Sequence, residues 1–117
     1  MHELSLIRTL LQQVDAIQAS HADCVLRRID VSVGEFSGID PELLRLAFSS
    51  TSEGNSLAGV EFRVARVPLC ARCRNCDREF PVHRFRFVCP NCECTGTDVV
   101  RGGELRLESV TFEEQEA

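Results

Sequence analysis

Apolar residues recur at intervals of three and four through the first twenty positions of the chain. This spacing places one apolar stripe along a helix, and it predicts an amphipathic helix that ends near Ser20. The stripe consists of Leu4, Ile7, Leu10, Leu11, Val14 and Ile17. The first predicted element is therefore a helix with one face to bury.

Three later segments alternate apolar and polar residues, which is the period of a half-buried strand. They span residues 25–34, 60–65 and 103–110. After the first of them, Asp40 has the chemistry of a helix N-cap and Pro41 suits the first helical position. The pattern predicts a second helix from Pro41 to about Thr51. Its predicted buried side consists of Leu43, Leu44, Ala47 and Phe48.

Six of the seven cysteines fall between positions 70 and 94. Two C-x-x-C pairs in this segment are separated by twelve residues, a spacing at which four thiolates can close tetrahedrally on one Zn(II) ion. Two other choices of zinc ligands stay open, because Cys70 and Cys73 also form a C-x-x-C and Cys94 could replace Cys92. From the symmetry of the two pairs we predict that the zinc ligands are Cys73, Cys76, Cys89 and Cys92.

The same four cysteines could also form two disulfides or bind iron as in rubredoxins. The first sixteen residues contain no apolar signal-peptide core, so we expect a cytoplasmic protein whose cysteines stay reduced. Residues 70–94 are too few to bury enough apolar area to fold alone, so we expect Zn(II) to supply their order.

The predicted elements together indicate an α+β fold, with two helices packed on a small three-stranded sheet and an inserted zinc-ribbon subdomain. We predict that residues 1–69 plus 95–117 form the α+β domain and that residues 70–94 form the zinc ribbon. No apolar run approaches the length of a membrane span, so we expect no membrane partner.

The charge of the chain narrows the classes of function. Its 117 residues include 13 basic side chains, all arginine, and 18 carboxylates, for a formal charge of −5. We expect no nucleic-acid partner, because phosphate binding depends on clustered positive charge. We also expect no enzymatic activity, since the lack of lysine excludes Schiff-base chemistry and no nucleophile, base and orienting group occur together.

The first three residues, Met1, His2 and Glu3, place an amino group, an imidazole and a carboxylate side by side. Ni(II) favours square-planar nitrogen ligands. The Met1 amine, the His2 amide nitrogen and the His2 imidazole can form fused chelate rings on one ion, with Glu3 able to fill a fourth position. Taken alone, such a histidine is more often an ordinary exposed residue, and the positive end of a helix repels a cation.

Three groups of residues resemble the HypA/HybF family of hydrogenase nickel-insertion proteins. They are Met-His-Glu-Leu-Ser-Leu at 1–6, Val-Gly-Glu-Phe-Ser-Gly-Ile-Asp-Pro-Glu-x-Leu at 33–44, and the two C-x-x-C pairs. The likeness covers the whole chain and keeps the order of the family's motifs. It implies a nickel-binding α+β unit, a zinc ribbon held by four cysteines, and the carrying of nickel rather than catalysis.

The resemblance also assigns roles to individual residues. His2 matches the family's nickel-binding histidine, Glu3 matches its neighbour, and Asp40 matches a position near the nickel-binding terminus. The four predicted cysteines match the family's zinc ligands. Asp77 and Glu93 depart from the pattern, since glycine is common in the family at these positions.

The partners that the resemblance implies are a HypB-like GTPase, a [NiFe]-hydrogenase large-subunit precursor and, in some hosts, urease maturation factors. Ni(II) would be the transferred ion and Zn(II) the structural ion, in a monomer or weak homodimer. The alternative is a zinc-ribbon adaptor that binds a protein or nucleic-acid partner without nickel transfer.

Overall fold

The structure is a computed structural model and describes residues 2–54 and 57–115. Both predicted helices and all three predicted strands are present in the predicted order. The elements are α1 (His2–Ala19), β1 (Cys24–Gly34), α2 (Pro41–Ser52), β2 (Glu61–Val67), β3 (Cys70–Cys73), β4 (Glu79–Pro81), β5 (Thr97–Arg101) and β6 (Leu105–Glu114). β6 runs further than its alternating pattern predicts, because its end, at Glu114, pairs with Cys24 at the start of β1.

The first sheet has the strand order β2-β1-β6. β1 is parallel to β2, from which α2 separates it in the chain, and antiparallel to β6. The two helices cover one face of this sheet, so the central strand β1 supplies much of the core. The buried core residues are Ile7, Leu10, Leu11, Val14, Leu26, Ile29, Val31, Val33, Leu44 and Phe48.

The start of α2 forms as the sequence predicts. The Asp40 carboxylate accepts a hydrogen bond of 2.9 Å from the Glu42 backbone N–H, which confirms Asp40 as the N-cap. The prediction for the buried side was wrong at Leu43, whose relative exposure is 48%. Leu44 and Phe48, four residues apart, define the buried stripe of α2. Leu43 precedes Leu44 by one residue, which is about 100° around the helix, so its side chain faces solvent.

The second sheet has the order β4-β3-β5, with β3 antiparallel to both neighbours. We call residues 70–101, which contain this sheet and both C-x-x-C turns, the ribbon. Its strand β5 follows residue 94, so the sheet uses residues beyond the 70–94 segment of the predicted domain division. The small buried core beside it consists of Leu69, Ala71, Cys73, Phe80, Val82 and Cys89.

The ribbon joins the first sheet at a tight backbone crossing. A Cβ atom on Gly34 would lie 2.3 Å from the carbonyl carbon of Gly102, and one on Gly102 would lie 2.6 Å from the Pro68 carbonyl oxygen. Gly102 also has a φ of 85°, a left-handed conformation that favours glycine. Close approach at both positions therefore requires residues without side chains.

Candidate metal centre

The two C-x-x-C turns of the ribbon have the same backbone geometry. In each, the residue after the second cysteine donates its N–H to the carbonyl of the first, from Asp77 to Cys73 and from Glu93 to Cys89, both at 2.9 Å. Asp77 and Glu93 each have a φ of 62°. Glycine would adopt this conformation most easily, and the structure shows that an acidic residue takes it in both turns.

These matched turns bring four sulfur atoms together. Sγ of Cys73 lies 3.4 Å from Sγ of Cys92, and Sγ of Cys76 lies 3.6 Å from Sγ of Cys89. All four sulfurs are within 4.8 Å of one another. Tetrahedral zinc with bonds near 2.3 Å would separate its sulfurs by about 3.8 Å, so the donor set and its spacing fit one such ion.

The geometry also decides which cysteines form the four-sulfur group. Cys94 occupies the place in the second turn that Arg78 occupies in the first, because their carbonyls accept the N–H groups of Cys89 and Cys73 at 3.0 and 2.9 Å. The Cys94 sulfur lies outside the four-sulfur group and accepts a hydrogen bond of 3.3 Å from the Gly96 N–H.

Cys70 is excluded from the cluster for a different reason. It begins β3, where it pairs with Arg101, and its sulfur accepts a hydrogen bond of 3.4 Å from the Arg101 guanidinium. All seven cysteines are free, so the two-disulfide alternative does not describe this structure.

Hydrogen bonding within and between the turns prepares part of the cluster to bind a cation. The Asn75 side chain, followed by the Cys94 backbone, lowers the pKa of Cys92 to about 6. The Arg78 backbone N–H lowers the pKa of Cys76. Thiolates are the ligand form for zinc, so these donors favour metal binding. Sequence reasoning missed Asn75, although its position inside a C-x-x-C turn is where such a donor would be sought.

The buried end of the cluster behaves differently. The Cys76 backbone N–H favours the thiolate of Cys73, but burial and the sulfurs of Cys92 and Cys76 outweigh it and raise the pKa of Cys73 to about 12. Four sulfurs at such short distances cannot all carry a negative charge without a cation between them. A bound divalent ion would supply that charge and complete the ionisation.

The predicted nickel-binding residues lie far along the chain from this cluster, at the start of α1. The side chains of Met1 and His2 lie outside the described residues. Glu3 is half-buried in the first turn of the helix. Asp40 is exposed, and its carboxylate already caps α2.

Comparison with known proteins places the chain in a family. Residues 1–112 match the family described as hydrogenase/urease nickel incorporation, metallochaperone, hypA. The chain belongs to the HypA family. Among its HypA relatives, the hydrogenase maturation factor HypA of Desulfitobacterium hafniense is 33% identical over 114 residues, which cover 97% of this chain and 100% of the relative. That of Geotalea daltonii is 32% identical over 111 residues, covering 95% and 98%.

Solved HypA structures share the fold. The solution structure of the Ni metallochaperone HypA from Helicobacter pylori has a TM-score of 0.70 at 22% identity and covers 97% of this chain and 98% of its own. A second structure, described as the solution structure of HypA protein, has a TM-score of 0.76 at 22% identity and covers 98% of both chains. The HypA/HybF resemblance and the α+β fold with a zinc-ribbon unit are thus confirmed.

Membership in the HypA family makes this chain one of the nickel metallochaperones of hydrogenase maturation, a group described by metal delivery rather than by catalysis. None of the helices in residues 2–54 and 57–115 is long and apolar enough to cross a membrane.

Proposed function

We propose that this chain binds Ni(II) at its amino-terminal end and delivers it in the cytoplasm during maturation of a [NiFe]-hydrogenase. The observation that carries the proposal is the match to the nickel-incorporation family over residues 1–112, which includes the Met-His-Glu start. The proposed partners are a HypB-like GTPase, the hydrogenase large-subunit precursor and, in some hosts, urease maturation factors.

The proposed nickel ligands are the Met1 amine, the His2 amide and imidazole nitrogens, and the Glu3 carboxylate. Helix α1 begins at His2, so these groups precede or open the first turn, where backbone N–H groups have no partner in the helix. The partial positive charge there opposes a cation. Glu3, half-buried in that turn, supplies a negative charge that offsets it.

We propose that Cys73, Cys76, Cys89 and Cys92 hold a structural Zn(II) that stays bound while nickel moves. Four protein ligands close a tetrahedral site completely, whereas a terminal chelate with an open position can exchange its ion through a ligand shared with the recipient. The division into residues 1–69 plus 95–117 and residues 70–94 stays our proposal for the two domains.

Nickel titration of the protein with its native start, compared with two variants, tests the proposal. One variant carries a few extra residues before Met1, and the other is His2→Ala. Both should lose stoichiometric nickel binding. In the extended protein the free amine no longer lies next to His2, and in His2→Ala the imidazole is absent. The matched control is His21→Ala, which removes an exposed imidazole just beyond the other end of α1.

Zinc content measured on the same samples separates the two sites. It should stay unchanged in every variant, because the cysteine cluster contains none of the altered groups. Equal nickel binding by the native and His2→Ala proteins would contradict the proposed site. Native protein that retains zinc but binds no nickel would leave only the zinc-ribbon adaptor.

A further inference from the structure

Three phenylalanines form an aromatic cluster where the ribbon meets the first sheet. The ring of Phe36 lies 5.7 Å from that of Phe85 and 5.9 Å from that of Phe87, in tilted and edge-on arrangements. Phe36 has a relative exposure of 50% and Phe85 of 57%. Large aromatic side chains grouped in solvent in this way are more typical of binding surfaces than of the rest of a monomer surface.

Both exposed rings are held on fixed backbone. The Phe36 N–H donates to the Gly102 carbonyl at 2.8 Å, and the N–H of Glu35 donates to the Val67 carbonyl at 3.0 Å. On the ribbon side, Arg84 and Phe85 have φ values of 55° and 57°. Two consecutive left-handed residues that are not glycine are strained, and such strain concentrates at ligand-binding positions.

The loop that carries Phe85 also carries unneutralised positive charge. Of the other ribbon arginines, Arg72 and Arg101 pair with Glu79 and Arg74 pairs with Asp98, whereas Arg78 belongs to no ion pair among the described residues. Among the residues that the structure describes, no carboxylate lies within ion-pair distance of the two arginines that flank Phe85. These exposed arginines are Arg84 and Arg86.

We propose that Phe36, Phe85 and Phe87 with Arg84 and Arg86, here called the Phe-Arg surface, dock an acidic segment of a partner protein that carries a large apolar side chain. The exposed rings would receive the apolar side chain and the arginines would pair with the carboxylates. The rings are already in place, so binding would lose little conformational entropy at this surface.

A protein segment fits this surface better than a nucleic acid does. The chain has 18 carboxylates against 13 arginines, so a long phosphate backbone that extended past the Phe-Arg surface would meet net negative charge. A short acidic segment can end within the reach of two arginines. The inference goes beyond the nickel site and does not depend on it.

A fluorescent peptide tests the proposal, since the chain contains no Trp and no Tyr. The probe is a short synthetic peptide of glutamates with one tryptophan and two leucines, titrated with the zinc-loaded full chain in the absence of nickel. Its tryptophan emission should shift to shorter wavelength on contact with the phenylalanines, and added salt should weaken the binding.

Charge reversal locates the binding site. The double variant Arg84→Glu and Arg86→Glu should bind the glutamate peptide about tenfold more weakly and should gain affinity for the matching lysine peptide. Phe36→Ser should weaken the binding of the glutamate peptide by a similar factor. The matched controls are Arg8→Glu and Leu46→Ser, which change an exposed arginine and an exposed leucine on the two helices and should leave affinity unchanged.

The arginine variants decide the outcome if Phe36→Ser disturbs folding, because both arginine side chains are exposed. Three results would overturn the proposal. The glutamate peptide could fail to bind the unaltered protein, the controls could lose as much affinity as the surface variants, or a single-stranded oligonucleotide could displace the peptide at equal concentration. Nickel binding is not measured here, so none of these results bears on the proposed nickel site.

Discussion

The core under the two helices contains ten buried residues, all of them apolar, whereas the core of the ribbon region contains six, two of which are cysteines of the four-sulfur group. The first unit can be held by the burial of apolar surface, since helices on one side and β1 at the centre exclude water from a continuous core. In the ribbon, the four sulfurs lie where additional core would otherwise be needed.

This difference means that the two regions should respond to different perturbations. Metal removal should act on one, and loss of apolar volume should act on the other. A substitution at the crossing between them should affect the structure of both regions.

Removal of the proposed Zn(II) should have the largest effect. Binding of a structural zinc ion contributes roughly 10–16 kcal/mol in small zinc peptides, far more than the ribbon core can replace. After treatment with a strong chelator, amide hydrogens of β3, β4 and β5 should lose protection from exchange while those of β1 keep theirs. Restored protection after zinc addition is the control. A ribbon that stays protected without metal would show that its own small core is sufficient to hold it.

Leu44→Ala should lower the free energy of unfolding of the helix-covered unit by about 2–5 kcal/mol, because the side chain is fully buried. Leu46→Ala on the same helix is the matched control, since that leucine is 65% exposed and its loss should change stability by less than about 0.5 kcal/mol. Chemical denaturation of the zinc-loaded proteins measures both. Similar losses for the two variants would show that α2 does not bury the side assigned here.

Gly34→Ala should destabilise the crossing by about 1–3 kcal/mol, because the added methyl group would overlap the backbone of Gly102. Gly103→Ala provides the control nearby, where a Cβ atom would meet Val99 at an ordinary 3.5 Å. Amide chemical shifts should change on both sheets in the first variant. Changes confined to β1 would mean that the two units are less closely coupled than the short distances indicate.

Asp40→Ala should have the smallest effect, about 1 kcal/mol, through loss of the helix cap. Asp40→Asn keeps a capping oxygen and should retain most of the stability. Nickel titration of the same two proteins separates capping from metal binding. If the asparagine variant is stable but binds nickel weakly, the Asp40 carboxylate contributes to the metal site as well as to α2.

Much of the fold could be predicted from local patterns. The spacing from Leu4 to Ile17 fixes one face of α1, and Asp40 with Pro41 marks the start of α2. The error at Leu43 arose because two adjacent leucines fit a buried stripe equally well by sequence. Only the position of the sheet under the helix decides between Leu43 and Leu44.

The sequence predicted which cysteines of the ribbon come together, but not how all of its strands pair. The repeated C-x-x-C spacing identified the four sulfurs, because two identical turns require the same residues at the same offsets. The pairing of β3 with β5 could not be read from the sequence, since Thr97–Arg101 lies beyond the last cysteine and short strands carry little pattern. The Asn75 contact with Cys92 likewise depends on the folded turn.

The first and last residues of the ribbon lie side by side, since Cys70 and Arg101 are paired residues of adjacent strands. A segment whose two ends lie side by side can be exchanged for another of similar end spacing without stretching the host. The ribbon is therefore a natural position for building chimaeras. A metal-free hairpin grafted between residues 69 and 102 would produce the helix-covered half, which contains the proposed nickel site, without the four-sulfur group.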